Sequence, residues 1–336
     1  MSLLPFLNRV VAREDLSATE AFQSMQLLLE GAASAAEIAA FLVALRMKGE
    51  TAAELTGFAR SMREHMIVVD AGVPVIDNCG TGGDASGTFN ISTTASFVMA
   101  GAGAHVAKHG NRSISSASGA ADVLEALGVR VTATAEEAAR MIREVGIGFL
   151  FAPAFHPAMK HVQPVRRELK IRTVFNLLGP LANPAGAKVQ VIGAPSPETA
   201  GLMAAALRAL GTERSFVVHG HGGVDEISTM GPSDVHHVTA AGVVKHLWYP
   251  EHFGVSQSDI ASLKGGDAAR NAAILREILE GQKGPKRDIV LVNAAAGLVA
   301  AGLAVDLREG MDAAARSIDS GAALAKLELL RTRLPL

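Results

Sequence analysis

Four stretches of the chain gather the residue types that phosphate and metal chemistry use. The first, Cys79-Gly80-Thr81-Gly82-Gly83-Asp84, directly follows the apolar pair Val75-Ile76. Glycines at such a turn bare backbone N–H groups that can cradle phosphate oxygens as an anion nest. The run is neither the Walker sequence nor G-x-G-x-x-G, and alone it also fits a plain tight turn. The second is Thr88-Phe89-Asn90-Ile91-Ser92-Thr93, at a predicted helix start where backbone dipoles attract anions. Ordinary N-capping by Asn90 or Ser92 would use only one of its polar side chains. The third, Lys108-His109-Gly110-Asn111-Arg112-Ser113-Ile114-Ser115-Ser116, sets an ammonium and a guanidinium fork among five further hydrogen-bonding side chains. A solvated loop has a similar composition, but two nearby stretches of phosphate-binding character favour binding. The fourth is Asp225-Glu226 within His219-Gly-His-Gly-Gly-Val-Asp-Glu226. Adjacent carboxylates beyond a strand end suit Mg2+, which takes few protein ligands and reaches substrate phosphates. In isolation the same pair fits two solvated acids. His219 and His221 form H-x-H without a third spaced ligand and read as loop polar groups, not a zinc site. Together the four stretches describe a site for a Mg2+-bound polyphosphate. Cys79 has no partner in sequence, so no side chain is assigned as acid, base or nucleophile, and the chemistry rests on a leaving phosphate.

Two kinds of element must position these groups. Residues 1–72 read as helices, opened by three capping boxes, Ser17-x-x-Glu20, Ser34-x-x-Glu37 and Thr51-x-x-Glu54. Behind the boxes, Phe22, Met25, Leu28 and Leu29, then Ile38, Phe41, Leu42 and Leu45, then Leu55, Phe58 and Met62 form apolar stripes at helical spacing. From 73 to 336 short apolar strands alternate with helices: strands at Val75-Ile76, 105–107, 148–151, 189–192 and 216–218, helices at 90–100, 122–127, 135–145 and 198–210. That alternation predicts an α/β domain with a mainly parallel central sheet covered on both faces. Residues 155–185 interrupt it with a polar, Pro-rich stretch of no clear strand pattern.

The 336 residues are 49% hydrophobic and 19% charged, which supports a sizeable core and excludes extensive disorder. A net charge of −2 argues against a general nucleic-acid binder. The single cysteine excludes an intrachain disulfide or a cysteine zinc cluster and fits a reducing, cytoplasmic setting. Charges at Arg9, Arg13, Glu14 and Asp15 interrupt any signal-peptide core. The apolar run from Ile289 to Val305 is Ala/Gly-rich and reads as buried core rather than a membrane span.

Gly80-Thr-Gly-Gly-Asp84, Asn90-Ile-Ser-Thr93, Lys108-His-Gly-Asn-Arg112 and Asp225-Glu226 together resemble the anthranilate phosphoribosyltransferase family. The run from Arg172 to Pro184, His156-Pro-Ala-Met-Lys160 and Pro164-Val-Arg-Arg-Glu-Leu169 carry the same likeness, which extends to Ala294-Ala-Ala-Gly297. The resemblance implies a small helical domain hinged to a larger α/β domain, part of 155–185 returning to the helical domain, and a homodimer. It implies that Gly80, Gly83, Asp84, Thr88, Asn90, Ile91, Ser92, Thr93, the residues Lys108 to Ser116 and Ala120 bind phosphoribosyl pyrophosphate. It implies Mg2+ on Ser92, Asp225 and Glu226. It also implies anthranilate against Gly80, Asn111 and Arg166, with His109, His156 and Pro180 lining the aromatic pocket. Many relatives carry a larger residue at Ala117, Ser at Ala120, and an acidic residue near His236 and His237. The reaction so implied joins the anthranilate amine to C1 of the ribose and expels pyrophosphate. A pyrimidine nucleoside phosphorylase is the nearest alternative, disfavoured by the Phe175-to-Leu181 run and the acid pair. A non-catalytic nucleic-acid-binding relative should have lost the acid pair or the Lys108 loop, and this chain keeps both.

Overall fold

Three capping boxes start the N-terminal helices as their spacing predicts. In α2 (Ala18–Leu29), α3 (Ala35–Lys48) and α4 (Ala52–Glu64), which follow α1 (Leu4–Val11), the Ser or Thr hydroxyl accepts the third residue's N–H while the Glu carboxylate returns to the cap. Buried Met25, Leu28, Ile38, Phe41, Leu42, Leu45, Leu55, Phe58 and Met62 face one another, with Phe41 and Phe58 edge to face. Gly57 lets α4 lie against α2, because a Cβ there would fall 2.2 Å from the Ala18 carbonyl oxygen. Glu54 does more than cap. Fully buried, it accepts from Leu16 N–H and Thr51 N–H and pairs with the Lys48 ammonium at 3.0 Å.

The computed structural model describes residues 2–82, 86–113 and 117–336; Gly83, Asp84, Ile114, Ser115 and Ser116 lie outside them. The chain continues through β1 (Ile76–Gly80), α5 (Ile91–Gly101), β2 (Val106–Gly110), α6 (Ala120–Ala126), α7 (Ala135–Val145) and β3 (Ile147–Phe151). The Pro-rich interruption folds as α8 (Ala152–Phe155), a 3-10 turn at Pro157–His161, α9 (Gln163–Leu169) and α10 (Phe175–Leu178). Then come β4 (Val189–Gly193), α11 (Pro197–Ala209), β5 (Arg214–Gly220), β6 (Ser233–Thr239) and β7 (Gly242–Trp248). Helices α12 (Ala268–Leu279), α13 (Pro285–Ala300), α14 (Leu307–Asp319) and α15 (Ala322–Arg333) close the chain.

Among the described residues the strands form one sheet in the order β3-β2-β1-β4-β5-β6-β7, parallel from β3 to β5 and antiparallel beyond. Alternation along the buried strands serves two cores. Val191, Phe216 and Val218 join α5 and α13 on one face, while Ile192 and Val217 join α11, the N-terminal helices and Val162, Val165, Phe175 and Leu178 on the other. The 157–178 helices therefore pack on the helical side, against α2, α3 and α4. The apolar run from Ile289 forms α13, buried along most of its length, and among the described residues no helix is long and apolar enough to cross a membrane.

The β6–β7 hairpin escapes the sequence pattern. Its strands mix His236, His237, Lys245 and His246 with apolar residues, and β7 is an exposed edge, so neither shows the apolar run of a buried strand. Helix α7 opens with a fourth box, Thr134-x-x-Glu137, whose spacing was open to the same reading.

Replacing Glu54 with Ala strands two backbone donors and leaves the Lys48 ammonium with Asp15 and the Gly49 carbonyl only, and should cost about 3 kcal/mol of unfolding free energy. Glu37→Ala, which removes an exposed box carboxylate, should cost far less. Urea midpoints of the two variants measure the difference.

Candidate functional site

The C-terminal ends of β1, β2, β4 and β5 and the start of α5 converge on the turn carrying Asp225 and Glu226. Both acids are half-buried on a loop, as expected. Asp225 Oδ2 accepts the Gly82 N–H at 2.8 Å. A Cβ at Gly80 would lie 2.1 Å from that oxygen, and one at Gly193 would lie 1.5 Å from the Asp225 carbonyl oxygen. Only glycine leaves room for the turn at both positions. Glu226 Oε1 accepts the Ser92 N–H at 3.1 Å. No side chain of Asn90 caps α5, so ordinary N-capping does not explain this polar helix start. A carboxylate sits at the positive end of the helix instead.

Lys108 lies in β2 and is buried, its Nζ donating to the Asn78 carbonyl at 2.7 Å and standing 3.4 Å from Ser92 Oγ. Burial lowers its pKa from the ordinary lysine value, against the opposing pull of Asp77, Cys79 and Glu226. Asn90 donates to Ser118 O at 3.3 Å and accepts from Asn271 at 2.9 Å, so an unforeseen α12 residue orients it. Thr88 Oγ1 meets Ser86 Oγ at 3.1 Å. Ile91 and Thr93 are buried, leaving their backbone rather than their side chains for a ligand. Exposed Asn111 accepts the Arg112 N–H, and Arg112 forks onto Glu125 at 2.5 and 2.6 Å. Asp122 accepts from Ser113 N–H and Gly119 N–H, fastening this loop to α6, which Ala120 opens. Arg172, also unforeseen in this place, donates to Gly82 O at 2.6 Å.

Cys79 is no nucleophile here. Burial, and then Asp77, pushes its thiol pKa well up. His219 Nδ1 bonds the Ala194 carbonyl at 2.9 Å, and among the described residues no three His, Cys, Asp or Glu side chains group around a metal position. The site's donors are oxygens from two carboxylates and Ser92. That hard, sparse set fits Mg2+ rather than zinc.

On the other side of β2 the rings of His109 and His156 stand 5.1 Å apart. His109 Nδ1 donates to the Gly179 carbonyl at 3.0 Å, and the Nε2 atoms of both rings are buried without a hydrogen-bond partner. Pro180, which follows Gly179 in sequence, is buried, its carbonyl held by Gln190 at 2.8 Å. Arg166 projects from α9 over the Phe175 ring at 5.2 Å, with a weak bond to Gln163 at 3.4 Å. Among the described residues it makes no ion pair, with Glu168 or any other acid, and burial lowers its pKa. No described hydrogen bond links Arg166 to His109, His156 or Asn111.

Burial, then the neighbouring His156, lowers the His109 pKa to about 3, and burial lowers His156 to about 4. Both rings are neutral when folded, so the stability they carry is fully present above the ordinary pKa of 6.5. It is lost as pH falls from there through 4 toward 3, each ring contributing a slope of up to about 1.4 kcal/mol per pH unit. His156→Phe should flatten the pH dependence of the urea midpoint between pH 6.5 and 4.5, and an unchanged slope would show that the ring protonates freely.

The profile of the glycosyl transferase family helical bundle domain matches residues 4–66, and that of the family's a/b domain matches 72–324. The anthranilate phosphoribosyltransferase of Solibacter usitatus is 58% identical over 333 residues, covering 98% of both chains. That of Geotalea uraniireducens is 52% identical with 96% of each covered. The crystal structure of the Thermus thermophilus enzyme superposes with a TM-score of 0.93 at 44% identity, covering 99% of each chain. The Saccharomyces cerevisiae enzyme in complex with phosphoribosyl pyrophosphate and Mg superposes at 0.89, with 31% identity and 98% and 97% covered. Its complex with 4-fluoroanthranilate superposes at 0.88, with 29% identity and the same coverage. The chain thus belongs, across its helical and α/β parts alike, to the anthranilate phosphoribosyltransferase family.

Proposed function

We propose that this chain transfers the phosphoribosyl group of phosphoribosyl pyrophosphate to the amine of anthranilate, releasing pyrophosphate, in tryptophan biosynthesis. The observation that carries the reading is the Asp225-Glu226 turn seated against glycines 80, 82 and 193 and the N-terminus of α5. Backbone N–H groups of the Gly80 loop and of α5, with Lys108, form the phosphate side. Gly83, Asp84 and Ile114 to Ser116 belong to it by family likeness. Ala120 lacks the hydroxyl common among relatives, so its contact is assigned to the backbone at the start of α6. Ser92, Asp225 and Glu226 would hold Mg2+, which when bound supplies charge neutralisation to the departing pyrophosphate.

Arg166, without an acid partner among the described residues and partly desolvated, is assigned to the anthranilate carboxylate, and Asn111 to the same substrate by family likeness. The bare Nε2 atoms of neutral His109 and His156 are acceptors for an N–H, which suits a pocket for an aromatic amine. Catalysis is positioning plus electrostatics, without a covalent enzyme intermediate, and closure of residues 1–72 over 73–336 would exclude water from the activated sugar. Exposed Leu4 and Val11 on one face of α1, with Met47 of α3, support a homodimer through the helical domain, which sedimentation velocity tests. The lone cysteine, free and half-buried, supports a cytoplasmic location, which cell fractionation tests.

Fluorescence-monitored loss of anthranilate, with and without Mg2+, tests the activity. No consumption with phosphoribosyl pyrophosphate and Mg2+ present would refute it. Asp225→Ala/Glu226→Ala should abolish most turnover while keeping the fold. Arg166→Ala should lower kcat/KM for anthranilate by about 2–4 kcal/mol of transition-state stabilisation, and Arg166→Lys should recover only part. Calorimetric binding of phosphoribosyl pyrophosphate should hardly change in either, and equal losses for both substrates would move the anthranilate pocket elsewhere.

A further inference from the structure

The ladder between β1 and β2 stops where the site begins. The two strands hold register only at Ile76 and Val106, whereas β1 keeps five positions against β4 and β2 keeps five against β3. In a continued parallel ladder the next bonds would run from Asn78 N–H to the Ala107 carbonyl and from His109 N–H to the Asn78 carbonyl. Side chains have taken these groups instead. The Ala107 carbonyl accepts from Asn183 Nδ2 at 2.8 Å, His109 N–H donates to Asp77 Oδ1 at 3.2 Å, and the Asn78 carbonyl accepts from Lys108 Nζ at 2.7 Å. Asp77 and Asn183 are themselves joined, Nδ2 to Oδ2, at 2.8 Å. Both are buried, Asp77 completely.

Each end of this bridge leads to a different substrate side. His109 opens the passage to Asn111 and Arg112. Asn183 ends the segment whose Gly179 carbonyl holds the His109 ring and whose Pro180 carbonyl is fixed by buried Gln190. Leaving a carboxylate in such a place is costly. An asparagine of the same size could still accept from His109, but its amide nitrogen would face that of Asn183, donor against donor. Only a carboxylate accepts from both.

We propose that Asp77 is a positioning residue for the two-substrate reaction. Wedged with Asn183 between β1 and β2, its carboxylate sets the spacing between the Lys108–Arg112 passage and the Gly179–Asn183 segment, and with it the approach of the anthranilate amine to C1. The inference rests on the function proposed above and assigns Asp77 no contact with either substrate.

A positioning role loses turnover rather than binding, since a misplacement of about 1 Å can cost about a hundredfold in rate. Asp77→Asn should lower kcat about 10- to 100-fold while the dissociation constant for phosphoribosyl pyrophosphate and the KM for anthranilate stay within about threefold. Asn183→Ala removes the same bridge from its other end and should show the same split, deciding the matter alone if the first variant does not fold. The double variant should fall no further than the worse single one, because both break one unit. Folded variants that keep kcat within about threefold while melting lower, a loss confined to one substrate's KM, or additive losses in the double variant would each overturn the proposal. Wild-type turnover tests the reaction itself, and the ratio of variant to wild type tests Asp77.

Discussion

The turn bearing Asp225 and Glu226 packs so closely on the ends of β1 and β4 that neither strand can end in a side chain. A Cβ at Gly80 would fall 2.1 Å from the Asp225 carboxylate, and one at Gly193 would fall 1.5 Å from its carbonyl oxygen. Much of the site's local geometry follows from that contact. With the turn pressed in, Asp225 reaches the Gly82 N–H and pins the glycine loop, and Glu226 reaches the first turn of α5. The parallel order that places β1 between β2 and β4 makes this possible, since the crevice beyond the C-terminal strand ends is where such sheets open.

The charges around the crevice are held by different means. Lys108 is buried and steadied by carbonyl and hydroxyl oxygens, and Arg112 is exposed and occupied by acids on α6. Arg166 lies against an aromatic face, with no acid among the described residues to neutralise it. An unpaired, partly desolvated guanidinium is costly in the free protein and strengthens attraction to an incoming carboxylate. His109 and His156, held neutral by burial, add no further positive charge to the assigned anthranilate side.

Much of this was legible in the residues. Capping boxes at 17, 34 and 51 are local devices, four residues long, and they fold as they read. The glycine loop, the polar start of α5 and the acid pair also declare themselves, because phosphate and cation chemistry restricts residue type at short spacing. What stayed hidden depends on contacts far apart in sequence. Gly193 is one glycine after an apolar strand until Asp225 is seen against it, and Asn271 is a helix polar residue until it is seen holding Asn90. The β6–β7 hairpin was hidden for another reason, its histidine-rich edge lacking the apolar signature of the strands it extends.

Asp77 and Asn78 show how such a distant contact can still leave a local trace. A strand buried on both faces in a parallel sheet is normally an unbroken apolar run. β1 instead reads Ile-Asp-Asn-Cys-Gly, and its first three residues are buried. Buried polar groups persist where they are bonded, and here the bonds reach across to Lys108, Ser92, Ser96, His109 and Asn183. The central strand gives up its apolar character at the point where it stops being sheet and becomes the floor of a site. A strand that kept the apolar run would zip fully to β2, as β4 does to β5, and would leave Lys108 and Asn183 without their partners.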